Sequence, residues 1–95
     1  MLEKGQQSLD LENDSPRGLI LALEPEGAEF ILPPGKTVQV LITGGMSAVV
    51  IQQRFDANGV CRILFWPEKG SYELLYEGKR VWDLLIEGDG KKTAS

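Results

Sequence analysis

Short apolar runs separated by turn-forming residues are the feature that most constrains the fold of this chain. Runs rich in valine, isoleucine, leucine and aromatic residues recur about every 8–12 residues. No stretch of about 10–12 residues has apolar side chains at helical spacing without glycine, proline or a β-branched run. The pattern predicts an all-β fold, a single small antiparallel β-sandwich or flattened barrel of about seven strands.

The predicted strands are separated by residues with recognisable turn chemistry. The strands are expected at 18–24, 28–32, 37–43, 47–55, 60–66, 71–77 and 80–86. Asp56 to Gly59 joins two apolar runs and ends in glycine, which predicts a hairpin with a type I turn and a bulge. A second hairpin is expected at Glu77 to Arg80.

The segment ILPPGKTV, residues 31–38, stops one apolar run and starts the next, so it is either a ligand loop or a corner. Pro33 cannot donate to a central ladder, and Pro34 presets the backbone angle of a turn. Gly35 permits the positive φ that a type II turn requires after proline. We therefore interpret the segment as a corner.

Alternation within the predicted strands indicates which side chains are buried. Val38, Val40 and Ile42 share one face and are expected in the core. The strand at 60–66 is apolar on both faces, so it lies under some cover or presents one face to a partner. On the face that includes Leu64, Trp66 either folds over the edge of the core, or beneath the leader, or contacts a subunit or ligand.

The two ends of the chain differ in composition from its middle. Residues 1–16 are predicted to be a flexible acidic leader, residues 17–87 the β-sandwich domain, and residues 88–95 a flexible tail. The formal net charge of −4 argues against nucleic acid and anionic membrane as partners. No apolar run approaches the about 20 residues of a spanning helix, and no secretion signal is present, so we expect a cytoplasmic location.

The residue types also restrict the chemistry. The chain has no histidine and a single cysteine, which removes serine triads, cysteine–histidine pairs and the common zinc and copper sites. Cys61 is interpreted as a small buried hydrophobe. Three carboxylates, Glu24, Glu26 and Glu29, are expected to lie on a solvated turn. No catalytic residue, metal or cofactor is therefore predicted.

Aromatic residues gather in the C-terminal half of the chain, where they form either half of a core or a stacking platform for a ligand. We expect core packing for most of them. The predicted interaction surface consists of Leu64, Trp66, Tyr72, Tyr76 and Trp82.

Two spaced motifs resemble those of a group of short, largely uncharacterised bacterial proteins. The first runs from Glu29 to Gly35, with Val38 and Val40 after it, and the second comprises Trp66-Pro67, Gly70-Ser71 and Tyr76-Glu77-Gly78. The resemblance spans about residues 24–82 and implies an all-β fold and a bacterial origin without an activity. The first motif also looks like cupredoxin-like and immunoglobulin-like sandwiches, although the chain lacks the histidines of the copper proteins.

These observations predict a non-catalytic interaction or self-assembly module whose partner is a second copy or another protein. The alternative is a module that binds a small ligand or carbohydrate on exposed aromatic side chains. The third hypothesis is an enzyme that depends on the carboxylates at Glu24, Glu26 or Glu29.

Overall fold

The computed structural model describes residues 5–45 and 48–86, which form two four-stranded sheets packed face to face. The strands are β1 (Gln6–Glu12), β2 (Leu19–Leu23), β3 (Ala28–Leu32), β4 (Thr37–Thr43), β5 (Val49–Phe55), β6 (Cys61–Pro67), β7 (Ser71–Tyr76) and β8 (Lys79–Arg80). One short helix, α1 (81–86), follows β8. The all-β sandwich predicted from the sequence is confirmed.

The two sheets draw strands from distant parts of the chain. The first sheet has the order β1-β4-β7-β8, and the second has the order β3-β2-β6-β5. All pairs are antiparallel except β2 and β6, which run parallel with Leu21 beside Ile63. The expectation of a purely antiparallel sandwich is therefore wrong for this one pair.

The core lies between the sheets and is built from one face of each central strand. Val38, Val40 and Ile42 are fully buried, as their alternation predicted. The core residues are Leu21, Leu23, Leu32, Val38, Val40, Ile42, Val49, Phe65, Leu74 and Val81. Because β4 is hydrogen-bonded to β1 on one side and to β7 on the other, its register fixes which side chains enter the core.

The ILPPGKTV segment is a corner, as predicted. The Lys36 amide donates to the Pro33 carbonyl at 3.2 Å, which closes a four-residue turn. Gly35 has a φ of 75°, the left-handed value that a type II turn requires at this position. The turn carries the chain from β3 in one sheet to β4 in the other.

Both predicted hairpins form. In the first, the Gly59 amide donates to the Asp56 carbonyl at 3.0 Å, and Gly59 has a φ of 79°. The second joins β7 to β8, with Tyr76 opposite Lys79 and positive φ at Glu77 and Gly78.

The structure places more of the N-terminal segment in the fold than expected. Residues 6–12 of the predicted leader 1–16 form β1, which pairs along its whole length with β4. Leu9 and Leu11 pack against the core while Asp10 and Glu12 are exposed, which is a half-buried strand with period two. The acidic residues obscured this alternation in the sequence. Residues 1–4 and the predicted tail 88–95 lie outside the described residues.

The last predicted strand, 80–86, is wrong. β8 ends at Arg80, and residues 81–86 form α1. Val81 is fully buried and Leu85 packs against the same core, a spacing of four residues that suits a helix. Trp82, Leu84 and Ile86 also fit the period of two that is typical of a strand, so the sequence of this segment carries both patterns, and burial of Val81 and Leu85 selected the helix.

Candidate functional site

β5 is the most exposed strand of the sandwich apart from the two-residue β8. It lies at the end of its sheet and pairs only with β6 among the described residues. Every residue of β5 after Val49 is exposed, on both faces of the strand. The exposed apolar side chains include Val50, Ile51 and Phe55, and Phe55 retains 66% of its accessible surface. An uncovered strand of this kind offers a polypeptide partner both apolar area and an unpaired backbone.

The direction of the free backbone groups of β5 follows from one hydrogen bond and from the register of the β5–β6 pair. The Glu24 amide donates to the Phe65 carbonyl at 2.9 Å, so the polar backbone groups of Phe65 face β2. Ile51 lies opposite Phe65 in the antiparallel β5–β6 pair and therefore points its own groups away from β6. By alternation, Val49, Gln53 and Phe55 also present their amide and carbonyl groups to the open side of the sheet.

The tip of the β5–β6 hairpin is held by its own hydrogen bonds. The Asp56 side chain accepts from the amides of Asn58 at 2.8 Å and Val60 at 3.0 Å. The Asp56 amide donates to the Val60 carbonyl at 3.0 Å. These bonds fix the end of the hairpin, so β5 is presented as a formed strand although few side chains cover it.

A groove of about 560 Å³ lies beside the inner face of this hairpin. One wall of the groove is the β5–β6 hairpin, and the other is the end of β1 with the loop of residues 13–18. The apolar lining residues are Leu11, Leu19, Phe55, Val60, Cys61 and Ile63. The inner side chains of β5 beyond Ile51 are Gln53 and the exposed Phe55, so the space between the sheets stays open here.

Asn13 organises the wall formed by the loop. It is almost fully buried, and its side-chain amide donates to the carbonyls of Arg17 at 2.7 Å and Leu32 at 2.9 Å. Its Oδ1 accepts from the amide and the hydroxyl of Ser15. Its backbone amide donates to Lys36, so one residue joins the loop to the corner between β3 and β4.

Leu64, one of the predicted interaction residues, lies on the outer face of the second sheet but is covered by neighbouring side chains. Leu64 is only 7% exposed. It lies between Ala22 of β2 and Gln52 of β5. On the same face, the Arg62 guanidinium forms ion pairs with the carboxylate of Glu29 at 3.3 Å and with that of Asp56 at 3.7 Å. Leu64 is therefore packed under its neighbours rather than presented to a partner.

Trp66 lies on this outer face beside β5. It is partly buried and stands directly opposite Val50 in the β5–β6 ladder. Of the two predicted interaction residues that lie next to β5, Trp66 is beside the exposed apolar Val50, whereas the packed Leu64 is beside Gln52.

The remaining three predicted residues pack inward, away from that face. Tyr72 contacts Phe65 at a centroid distance of 5.6 Å and donates its hydroxyl to the Glu24 carbonyl at 3.0 Å. Tyr76 contacts Phe30 at 5.3 Å, and Trp82 packs against the core. These aromatic residues act as core, one of the two roles that the sequence left open.

The pKa of the Tyr72 hydroxyl is shifted by its surroundings. Burial raises the pKa of its hydroxyl above the ordinary value of 10.0, and the nearby Glu26 carboxylate adds to the rise. With Trp82 and Pro67, it borders a notch of about 160 Å³, which is small for a ligand site.

The residues that sequence reasoning missed are those of β5. The sequence VVIQQRF does carry a signal, because it is free of charge until Arg54 and has apolar residues on both faces. That composition also fits a central strand, and the pairing order alone showed that β5 lies at an edge.

The other residues considered in the sequence are the carboxylates at the β2–β3 turn and Cys61. Glu26 and Glu29 are exposed, and Glu29 pairs with Arg62. Within residues 5–45 and 48–86, no group of three or more histidine, cysteine or acidic side chains is placed to hold a metal ion. Cys61 is half-buried rather than buried, and accepts a hydrogen bond from the Gln53 side chain at 3.4 Å.

Comparison with known proteins found no family model, no curated protein and no solved structure that matches this chain. In the part of the chain that the structure describes, no helix has the length and apolar character to cross a bilayer.

Proposed function

We propose that this protein is a non-catalytic interaction module that binds an extended polypeptide segment along the open edge of β5. The observation that carries this proposal is the combination of outward-facing backbone groups and exposed apolar side chains on that strand. An added strand pairs the backbone groups and covers the side chains, which is the usual mode of strand addition to a sheet edge.

The other sheet edges are less suited to strand addition. β1 carries Asp10 and Glu12, and charges on an edge strand oppose pairing with another chain. β3 has five residues, including Glu29, and is followed by Pro33. β8 has two residues and leads directly into α1. Among the edge strands that the structure describes, β5 alone combines a length of seven residues with an uncharged run of five, Val49 to Gln53.

Site-specific photo-crosslinking in the source organism tests the proposal. A photoreactive phenylalanine analogue at Val50 or Phe55 should form covalent adducts with a polypeptide partner, because both side chains lie beside the docking edge. The same analogue at Ser8, an exposed position on β1, is the matched control. Adduct yields at Val50 and Phe55 no higher than at Ser8 would contradict the proposed function.

A second candidate function, the binding of a small apolar ligand, is favoured by the groove. Its volume of about 560 Å³ lies within the range typical of ligand pockets. Anilinonaphthalene sulfonate is a suitable apolar probe, and its fluorescence should rise on binding. Cys61→Trp, which fills the groove, should abolish the rise, whereas Ser8→Trp should retain it. Equal fluorescence for the two variants would reject the groove as the binding site.

A further inference from the structure

We infer that the segment bound by β5 is β5 of a second copy of this chain, which makes the protein a two-fold dimer with a continuous eight-stranded sheet. The inference rests on the proposed function, because it assigns the partner of the same edge. It predicts an antiparallel pairing centred on Gln52, with Ile51 of one copy opposite Gln53 of the other.

The positions of the free backbone groups select this register. Val49, Ile51, Gln53 and Phe55 point their amides and carbonyls outward. In a pairing centred on Gln52, each of these residues faces another of the same set, so the two copies form roughly eight hydrogen bonds. A register shifted by two residues leaves one of these residues unpaired at an end of each strand. A shift by one residue places them opposite residues such as Val50 and Gln52, whose amides and carbonyls already face β6.

The side chains of β5 are also self-complementary in this register. In an isologous interface, residues near the two-fold axis lie close to the same residues of the second copy, so like charges near the centre would repel. Gln52 at the centre is neutral and lies opposite Gln52 of the second copy. Arg54, the one charged residue of β5, lies opposite Val50 of the second copy and is separated from the second Arg54 by four residues along the strand.

The same pairing covers the exposed apolar residues. Val49 and Phe55 face each other across the interface on the inner face of the sheet. Phe55 is the most exposed large apolar side chain of the described residues, and Ile51 is 40% exposed. On the outer face, the aliphatic part of Arg54 covers Val50, which stands beside Trp66. In the single copy Val50, Ile51 and Phe55 are exposed to water, whereas Val49 is already buried in the core.

A comparable self-pairing of β1 is disfavoured. In the corresponding pairing, centred on Leu9, Asp10 would lie opposite Ser8 and diagonal to Asp10 of the second copy, so like charges come closer than the two Arg54 residues do in the β5 pairing. Leu9 and Leu11 are already packed against the core, so little apolar area is left to cover. The difference between the two edges therefore identifies β5 as the self-association strand.

Sedimentation of the full chain over a wide range of concentration tests the dimer. The wild-type protein should show the mass of two chains, and Gln53→Pro should show the mass of one. The Gln53 amide faces the open edge, so proline there removes a donor from the dimer and none from the β5–β6 ladder. Circular dichroism of Gln53→Pro should match the wild type, which separates loss of the dimer from loss of the fold.

Disulfide trapping tests the register. In a Cys61→Ala background, Gln52→Cys should oxidise to a covalent dimer because the two thiols meet at the two-fold axis. Arg54→Cys, on the same face of the same strand, is the control, and should form disulfide at least about tenfold more slowly because its two-fold mate is beyond bonding distance.

The outcomes separate this inference from the proposed function. A wild-type chain that stays monomeric, a Gln53→Pro dimer, or equal oxidation of Gln52→Cys and Arg54→Cys overturns the β5 dimer. If the crosslinker at Val50 then joins a different protein, the proposed function stands with another partner. If it joins no protein above the Ser8 control, both fall.

Discussion

The two lateral edges of the sandwich differ in how the space between the sheets is filled. At the closed edge, β3 meets β7 through the ring contact of Phe30 and Tyr76 at 5.3 Å. At the open edge, the β5–β6 hairpin and the end of β1 border a groove of about 560 Å³. Both edges carry a phenylalanine on an end strand, but Phe30 packs against the core and Phe55 is exposed. A large side chain closes an edge only where the opposite sheet extends far enough to meet it.

The largest expected effect comes from the same truncation at the two edges. Phe30→Ala should lower the free energy of unfolding by about 2–3 kcal/mol, because it removes a ring packed against the core and Tyr76. Phe55→Ala should change it by less than about 0.5 kcal/mol. Denaturant unfolding in the Gln53→Pro background measures both without a contribution from self-association. Equal losses would remove the distinction between the edges.

Substitution of Asn13 tests whether the loop at the open edge is held in place by specific hydrogen bonds. Asn13→Ala should cost about 1–3 kcal/mol, because it leaves the carbonyls of Arg17 and Leu32 without their donor. Asn13→Asp keeps the shape but supplies no donor, so it should be destabilised as much or more. Thermal unfolding measures both variants. Wild-type stability in Asn13→Asp would show that the groove wall does not depend on these hydrogen bonds.

The closed edge should have its own pH dependence through Tyr72. Since the pKa of Tyr72 is raised in the folded state, its contribution to stability is fully present below pH 10.0 and is lost as the pH rises further. The slope is at most about 1.4 kcal/mol per pH unit, and lower here because the ring is half-buried and water screens the charge.

Tyr72→Phe tests this pH dependence. It removes the ionisable group, so unfolding midpoints of the variant should fall less steeply above pH 10.0 than those of the wild type. Parallel pH profiles for the two proteins would assign the alkaline loss to other groups.

The smallest expected effect is at the outer face, where Arg62 pairs with Glu29 and Asp56. Arg62→Gln should cost less than about 1 kcal/mol, since these side chains are partly exposed and the ion pairs are screened. The difference from the wild type should shrink further in high salt. A salt-independent loss would indicate that the Arg62 side chain acts through packing over Leu64.

Turn chemistry explains which parts of the fold were predictable. Gly35 and Gly59 occupy the positive-φ positions that their turns require, and these requirements are local. The alternation of Val38, Val40 and Ile42 likewise identified the core face of β4. Local signals failed at residues 81–86, where short strand and helix patterns overlap and burial of Val81 and Leu85 selected the helix.

The candidate site was only partly predictable. Trp66 stands beside the exposed Val50, whereas Leu64 is packed and the three remaining aromatic residues face inward. Exposure of Ile51 and Phe55 depends on how far the opposite sheet reaches, and no residue spacing reports that distance.

The all-β class, the corner at Pro33 to Lys36, the two hairpins and the core face of β4 could be read from the amino-acid sequence, because each depends on local conformational preference or on period-two burial. The strand order, the place of β1 in the sheet and the edge position of β5 became visible in the three-dimensional fold. Strand order depends on contacts between residues far apart in the chain. The same apolar strand would be buried at the centre of a sheet, and at its edge it is left open to a partner.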